Sequence, residues 1–241
     1  MVKLLVIDFD GTLMPYGTCA VSEKAIEYIE SAMKKGITVA VSSGRTYSEL
    51  IGFLPQLKDK IYFICSDGAY YIKNGKTLYE RAIALSDLSS FVPADNGGVV
   101  FHGAYKNYVL GEMPMGAEIP NITRISRIGE IKEKIFKITS YRGSVRLPVY
   151  CGLRTHWDGG ETESVQYVNR FCDKGAALSD LQMRLMLTKF DTVCIGDSVN
   201  DIAMMHNAKR SFCIGERSKE LASVCTDKAA RIEDAFEIIF N

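Results

Sequence analysis

Asp8 and Asp10 stand two residues apart in Asp8-Phe9-Asp10-Gly11-Thr12-Leu13, directly after an apolar run. On extended chain such residues point to one side, so the two carboxylates can share one target. Three further segments offer matching chemistry. Ser42-Ser43-Gly44-Arg45 supplies a hydroxyl and backbone amides that a ligand can approach closely beside a glycine. Asp173-Lys174-Gly175 places a lone cation at the opening of a helix, and Gly196-Asp197-Ser198-Val199-Asn200-Asp201 sets another carboxylate pair beside an amide. Together they offer acids, one ammonium and several hydrogen-bond donors, which is what a site for an anion and a hard cation requires.

These segments are held by an alternation of strands and helices. Lys3 to Asp8 is a continuous aliphatic run, as in a strand covered on both faces of a parallel sheet. Ser22 is a good N-cap for a helix whose Ala25, Ile26, Ile29, Ala32 and Met33 recur at helical spacing, and Gly36 sits where a left-handed C-cap belongs. A strand at Ile37 to Val41, a helix from about Thr46 to Pro55 and a strand at Ile61 to Cys65 complete a β-α-β-α-β unit. Asn74-Gly75 between two β-rich arms marks a hairpin. From about Arg81 to Gly160 the rhythm changes to short strands and loops, with Pro93, Pro114, Pro120 and Pro148, which reads as a small α+β insert. The α/β pattern then resumes with a helix over 174–187, a strand at Thr192 to Ile195, a helix from Asn200, a strand at Phe212 to Ile214 and a closing helix. All four chemical segments fall at strand ends or helix starts, where open parallel sheets bind ligands. The expected fold class is α/β: a doubly wound, Rossmann-like parallel core over 1–80 and 161–241, with an α+β cap inserted at 81–160.

The chain has 241 residues, 47% of them hydrophobic, with 29 Lys plus Arg balancing 29 Asp plus Glu. Zero net charge supplies no bulk field to recruit nucleic acid or an acidic membrane, so an anionic ligand must be caught locally. No apolar stretch reaches the length of a membrane span, and the amino terminus is too short in apolar residues and too acidic for a signal peptide. Seven dispersed cysteines without a CxxC pair read as reduced thiols in a cytoplasmic protein. Oligomeric state has no signature here.

In order and position, Asp8-x-Asp10-Gly11-Thr12, Ser43-Gly44-Arg45, Asp173-Lys174-Gly175-x-Ala177-Leu178 and Gly196-Asp197-x-x-Asn200-Asp201 resemble the haloacid dehalogenase superfamily of phosphohydrolases. The similarity is greatest to its Cof-type branch, whose C2-type cap is inserted between the second and third motifs. The resemblance implies a magnesium-dependent phosphatase of a small phosphomonoester, a sugar phosphate or related metabolite. It implies magnesium on the Asp8 carboxylate, the Asp10 carbonyl and the Asp197 carboxylate. It also implies a phosphate held by Lys174, Ser43, Gly44 and Asn200, with Asp8 as nucleophile and Asp10 as general acid and base. Asp10 separates this pattern from the metal-free dehalogenases, which lack an acid two residues after the nucleophile.

Two departures stand out. Asp67-Gly68-Ala69 replaces the usual Asn-Gly-Ala after the third strand, and Gly215-Glu216-Arg217 replaces the usual Gly-Asn-Ala. The same core would also suit a phosphomutase or phosphotransferase, or a non-catalytic binder of phosphorylated metabolites; the full acid set speaks against the last. Asp201 is expected to pair with Lys174 or to orient a metal-bound water. Tyr105, Asn107, Arg154 and His156 are candidate cap contacts.

Overall fold

The computed structural model describes residues 2–88, 98–113, 119–141, 151–157 and 163–240. Before the insert run β1 (Leu4–Asp8), α1 (Glu23–Lys34), β2 (Thr38–Ser42), α2 (Tyr47–Phe53), β3 (Tyr62–Cys65), β4 (Tyr70–Lys73) and β5 (Lys76–Glu80). The middle of the chain forms α3 (Leu85–Leu88), β6 (Val99–His102), β7 (Asn107–Leu110), β8 (Ile122–Ile125), β9 (Lys137–Tyr141), β10 (Cys151–Trp157) and β11 (Glu163–Asn169). Then follow α4 (Lys174–Leu185), β12 (Thr192–Gly196), α5 (Ile202–Met205), β13 (Arg210–Ile214), α6 (Lys219–Val224), β14 (Asp227–Ala229) and α7 (Ile232–Phe240).

The chain divides into two compact units. The first comprises Met1–Gly44, Ile51–Tyr79 and Asp173–Asn241, and its sheet has the order β14-β13-β12-β1-β2-β3-β4-β5. From β14 to β3 the pairings are parallel, and β3 pairs antiparallel with β4. All five residues of β1 are buried because this strand lies mid-sheet and is covered on both faces. By strand alternation Leu4 and Val6 point to one face, into a core with Ala177, Leu178 and Leu181 of α4, Met204 and Met205 of α5 and Leu221 of α6. Helices α1 and α7 pack on each other, α1 also on β2 and α7 on β14. Ser22 caps α1 as expected, its hydroxyl accepting from the Ala25 amide. Helix α4 ends at Leu185, earlier than its apolar pattern suggests, because Met186 turns left-handed and its amide bonds back to the Gln182 and Met183 carbonyls.

The second unit comprises Arg45–Leu50 and Glu80–Cys172. Its sheet has the order β10-β11-β9-β6-β7-β8, antiparallel except for the parallel β7–β8 pair. The expected boundary at 160 therefore differs from the structure, where β11 runs on to Asn169 as the partner of β9. Apolar alternation in Glu163 to Asn169 is too weak to mark a strand without its neighbour. Val99, Phe101, Tyr108, Ile138 and Tyr167 form one apolar face with Leu88, Ile131 and Ile135. Among the described residues the free cysteines are mostly buried, and no helix is long and apolar enough to cross a membrane.

His102 is buried in this second unit, with Nδ1 2.8 Å from Asn107 Oδ1 and Nε2 2.8 Å from Thr139 Oγ1. The Asn107 amide nitrogen donates to the Pro120 carbonyl, so its oxygen faces His102 and the ring carries its proton on Nδ1. Burial, and then the nearby Lys137, hold the imidazole well below its usual range. Below about pH 6.5 the unfolded chain binds a proton that the folded one refuses, so stability is full above that pH and declines as pH falls. Urea unfolding between pH 7.5 and 5.5 should therefore show His102→Gln losing less stability than the parent, by up to about 1.4 kcal/mol per pH unit. Equal losses would refute the assignment.

Candidate active site

Three parallel strands deliver the acids and hydroxyls to one edge of the first unit. Asp8 is the last residue of β1, Ser43 follows β2 and Asp197 follows β12. Chain order reverses beside β1, whose neighbours are β2 on one side and β12 on the other, and such switch points leave a crevice beyond the strand ends.

Lys174 is the hub. It sits in the first turn of α4, whose N-cap Asp173 accepts from the Ala176 amide at 2.7 Å. A cation is electrostatically out of place at a helix N-terminus. Here it is compensated: Nζ donates to Asp8 Oδ1 at 2.5 Å and to Asp201 Oδ1 at 2.7 Å, and only 1% of the residue is exposed. Burial alone would lower the ammonium's pKa, but Asp201, Asp8 and Asp67 overcome it and raise it, so Lys174 is charged. Gly175 permits the approach, since a Cβ there would stand 2.4 Å from the Ala203 carbonyl oxygen.

Asp201 has a second task that its spacing alone did not reveal. Its Oδ2 accepts from the Asp197 and Ser198 amides, both at 3.1 Å, which fixes the turn carrying Asp197. Both of its oxygens are thus engaged. Asp8 Oδ2 and Asp197 Oδ2, by contrast, are buried and have no hydrogen-bond partner. Ligand atoms of Asp8, Asp197 and Asp201 lie within 4.8 Å of one another. Burial, aided by Asp201 and Asp197 and opposed by Lys174, pushes the Asp8 carboxyl well above the usual carboxylate range. Burial and Asp201 likewise push Asp197 up to about 6. Two buried, unpartnered carboxylate oxygens among like charges form an all-oxygen set that fits a hard divalent cation.

Around this centre, Ser43 Oγ donates to Asp10 Oδ2 at 3.4 Å, and Thr12 Oγ1 to Asp197 Oδ1 at 3.5 Å. Asn200 Oδ1 accepts from Ser198 Oγ at 2.6 Å, and its amide donates to Asp67 Oδ1 at 3.1 Å. Gly44 lies against Asp67 as well. All seven residues singled out in the sequence, Asp8, Asp10, Ser43, Gly44, Lys174, Asp197 and Asn200, belong to the first unit.

A family model described as haloacid dehalogenase-like hydrolase matches residues 5–234. The chain belongs to this family. Among curated relatives of this hydrolase, the 5-amino-6-(5-phospho-D-ribitylamino)uracil phosphatase YbjI of Escherichia coli K12 is 22% identical over 88% of the chain and 85% of the relative. The HMP-PP phosphatase of Shigella boydii serotype 4 is 24% identical, with 92% and 91% covered. Among solved structures, a protein from Eubacterium rectale superposes with a TM-score of 0.82 at 19% identity, covering 99% of this chain and 98% of its own. The subclass IIB sugar phosphatase BT4131 does so with a TM-score of 0.75 at 18% identity, again over 99% and 98%.

One neighbour of the hydrolase's site, Tyr16, carries no sequence signal, and another, Arg217, lies in the departure at 215–217. The Tyr16 ring and Asp197 Oδ2 both border the space over Gly11, where a Cβ would stand 2.3 and 2.5 Å from them, and Arg217 stacks on that ring at 4.3 Å. Burial and Asp197 push the Tyr16 phenol up to about 12, so it stays protonated. Of the candidate cap contacts, Asn107 is spent on His102 and Pro120, and Tyr105 stacks edge-on against Tyr47. The side chains of Arg154 and His156 lie outside the described residues.

Proposed function

We infer that the chain is a magnesium-dependent phosphatase that hydrolyses a small phosphomonoester, a sugar phosphate or related metabolite, through an aspartyl-phosphate. The observation that carries this reading is the Asp8 carboxylate. One oxygen is clamped by a buried lysine, the other is buried without a hydrogen-bond partner, and ligand atoms of Asp8, Asp197 and Asp201 lie within 4.8 Å of one another. The relatives named above as phosphatases support it.

Asp8, Asp197 and the Asp10 carbonyl would hold the magnesium. When bound, that ion supplies the positive charge that lets an anionic nucleophile meet an anionic ester. Lys174 fixes the rotation of the Asp8 carboxylate and, with Ser43 Oγ, the Gly44 amide and Asn200, holds the phosphoryl oxygens. Asp8 attacks phosphorus in line, the P–O bond to the leaving group breaks, and Asp10 gives its proton to the departing oxygen. Asp10, now a base, takes a proton from water as that water attacks the phosphorus of the aspartyl-phosphate. Phosphate leaves and Asp8 returns to its carboxylate. While Asp10 is protonated it does not need the Ser43 hydrogen, which can turn from Asp10 Oδ2 to a phosphoryl oxygen.

A panel of phosphomonoesters with magnesium should yield inorganic phosphate, and chelation should abolish the release. Silence across the panel, or indifference to chelator, would end this reading. Asp10→Asn should lower kcat/KM for alkyl phosphates about 10²- to 10⁴-fold. It should cost kcat/KM much less with p-nitrophenyl phosphate, whose leaving group departs without a proton, whereas kcat falls with both because the water step loses its base. Equal losses of kcat/KM on both substrates would remove Asp10 from the role of acid.

A further inference from the structure

Asp67 is an acid near Lys174 to which the proposed chemistry gives no task. It is 2% exposed, and its carboxylate helps to raise the Lys174 ammonium. The chain sets it there at a cost. Ser66 has φ 48° and Asp67 φ 55°, two consecutive non-glycine residues in the left-handed region, followed by Gly68 at 87°. A Cβ on Gly68 would stand 2.1 Å from the Asp173 carbonyl oxygen, so the turn is pressed against the start of α4. The Asp67 amide donates to the Ser43 carbonyl at 3.0 Å, which ties the same turn to the loop after β2. Strain of this kind persists only where surrounding structure imposes it, and it concentrates at functional sites.

The side chain spans the cradle. One oxygen accepts from Asn200 Nδ2 at 3.1 Å, and the other lies 3.1 Å from where a Gly44 Cβ would be. A carboxylate can only accept, so it dictates which end of the Asn200 amide faces it. Ser198 Oγ accounts for the Asn200 carbonyl oxygen, and Asp67 takes one of the two amide hydrogens. One N–H remains, with its direction fixed.

We propose that Asp67 is a positioning residue that locks the Asn200 carboxamide so that its remaining N–H is presented to the phosphoryl group, at the expense of one extra negative charge in the phosphate cradle. The proposal rests on the phosphatase reading for Asn200. Position and charge act with opposite signs on anion affinity, and two substitutions separate them. Asp67→Asn keeps an acceptor for Asn200 and removes the charge; Asp67→Ala removes both.

The test is inhibition by inorganic phosphate, together with kcat and KM for p-nitrophenyl phosphate, in magnesium-loaded protein with Asn200 intact and in the Asn200→Ala background. With Asn200 present, Asp67→Asn should tighten phosphate binding roughly three- to tenfold, and Asp67→Ala should bind several-fold more weakly than Asp67→Asn. The difference should appear in KM more than in kcat. In Asn200→Ala the two substitutions should give the same constant. Equal phosphate binding by Asp67→Asn and Asp67→Ala with Asn200 intact would overturn the proposal, as would a difference that survives Asn200→Ala. Should Asp67→Ala fail to fold, Asp67→Ser, too short to reach Asn200, takes its place under the same criteria. Phosphate binding measured by calorimetry keeps the two readings apart. A parent that turns over no ester but shows this pattern loses the phosphatase reading and keeps the positioning one.

Discussion

Asp8→Asn is expected to lower kcat for phosphomonoester hydrolysis about 10⁴- to 10⁶-fold, because a carboxamide cannot form the acyl phosphate on which both half-reactions depend. The substitution preserves shape, and Lys174 keeps both an amide oxygen at position 8 and Asp201 as acceptors. The fold should therefore survive. Without metal it should gain stability, since one of three carboxylates whose ligand atoms lie within 4.8 Å of one another is neutralised. The same change removes a negative oxygen from the proposed cation site. In the parent, magnesium at 100 times its dissociation constant should add about 2.7 kcal/mol of stability by mass action. In Asp8→Asn most of that gain should vanish. Thermal melts with and without magnesium, beside a phosphate-release assay, read both effects. Turnover within tenfold of the parent would end the nucleophile assignment, and an undiminished magnesium shift would move the cation elsewhere.

Lys174→Met should be the most destabilising single change in the site. Methionine matches the length of the lysine stem but leaves Asp8 and Asp201, which hold Nζ at 2.5 and 2.7 Å, as adjacent buried carboxylates with no countercharge. Breaking a buried pair by removing one partner costs about 3–5 kcal/mol. Here one cation serves two anions, which places the expectation at the upper end. The loss should be greatest in chelator and smaller in magnesium, because a bound cation restores part of the missing charge. Activity should fall about 10²- to 10³-fold in the protein that remains folded, as a fixed charge aimed at the phosphoryl group is removed. Urea unfolding in chelator and in magnesium checks the order; a loss below about 1 kcal/mol in chelator would mean that the lysine is not the electrostatic keystone of the cluster.

Much of this site was legible in the chain because its groups are tied to backbone landmarks. Asp8 ends a five-residue apolar strand, Asp197 follows another, and Lys174 opens a helix whose cap is the preceding aspartate. Strand ends and caps are local properties, set by periodicity and by unsatisfied amides, and so they can be read without neighbours. The parallel core follows from the same local rules. The insert was harder. Strands β8 and β11 are weakly patterned and depend on pairing with β7 and β9 rather than on their own periodicity, and β10 is an edge strand held by β11 alone. The β14 strand, three residues long at the sheet edge, is of the same kind.

The sequence alone determined which residue types could do the chemistry and the order in which the strands and helices would deliver them. What only the tertiary structure decided is how those groups divide their bonds. It made Asp201 a partner of Lys174 and a clamp on the Asp197 turn instead of a free ligand, and it left oxygens of Asp8 and Asp197 unpartnered. It also turned Asp67, a departure from a familiar pattern, into a buried contact of Asn200. Residue type fixes what a side chain can donate or accept, whereas burial and distance fix which partners it meets. Those distances are set by strand register and helix packing across 166 residues in the pair of Asp8 and Lys174, a separation over which no local pattern carries information.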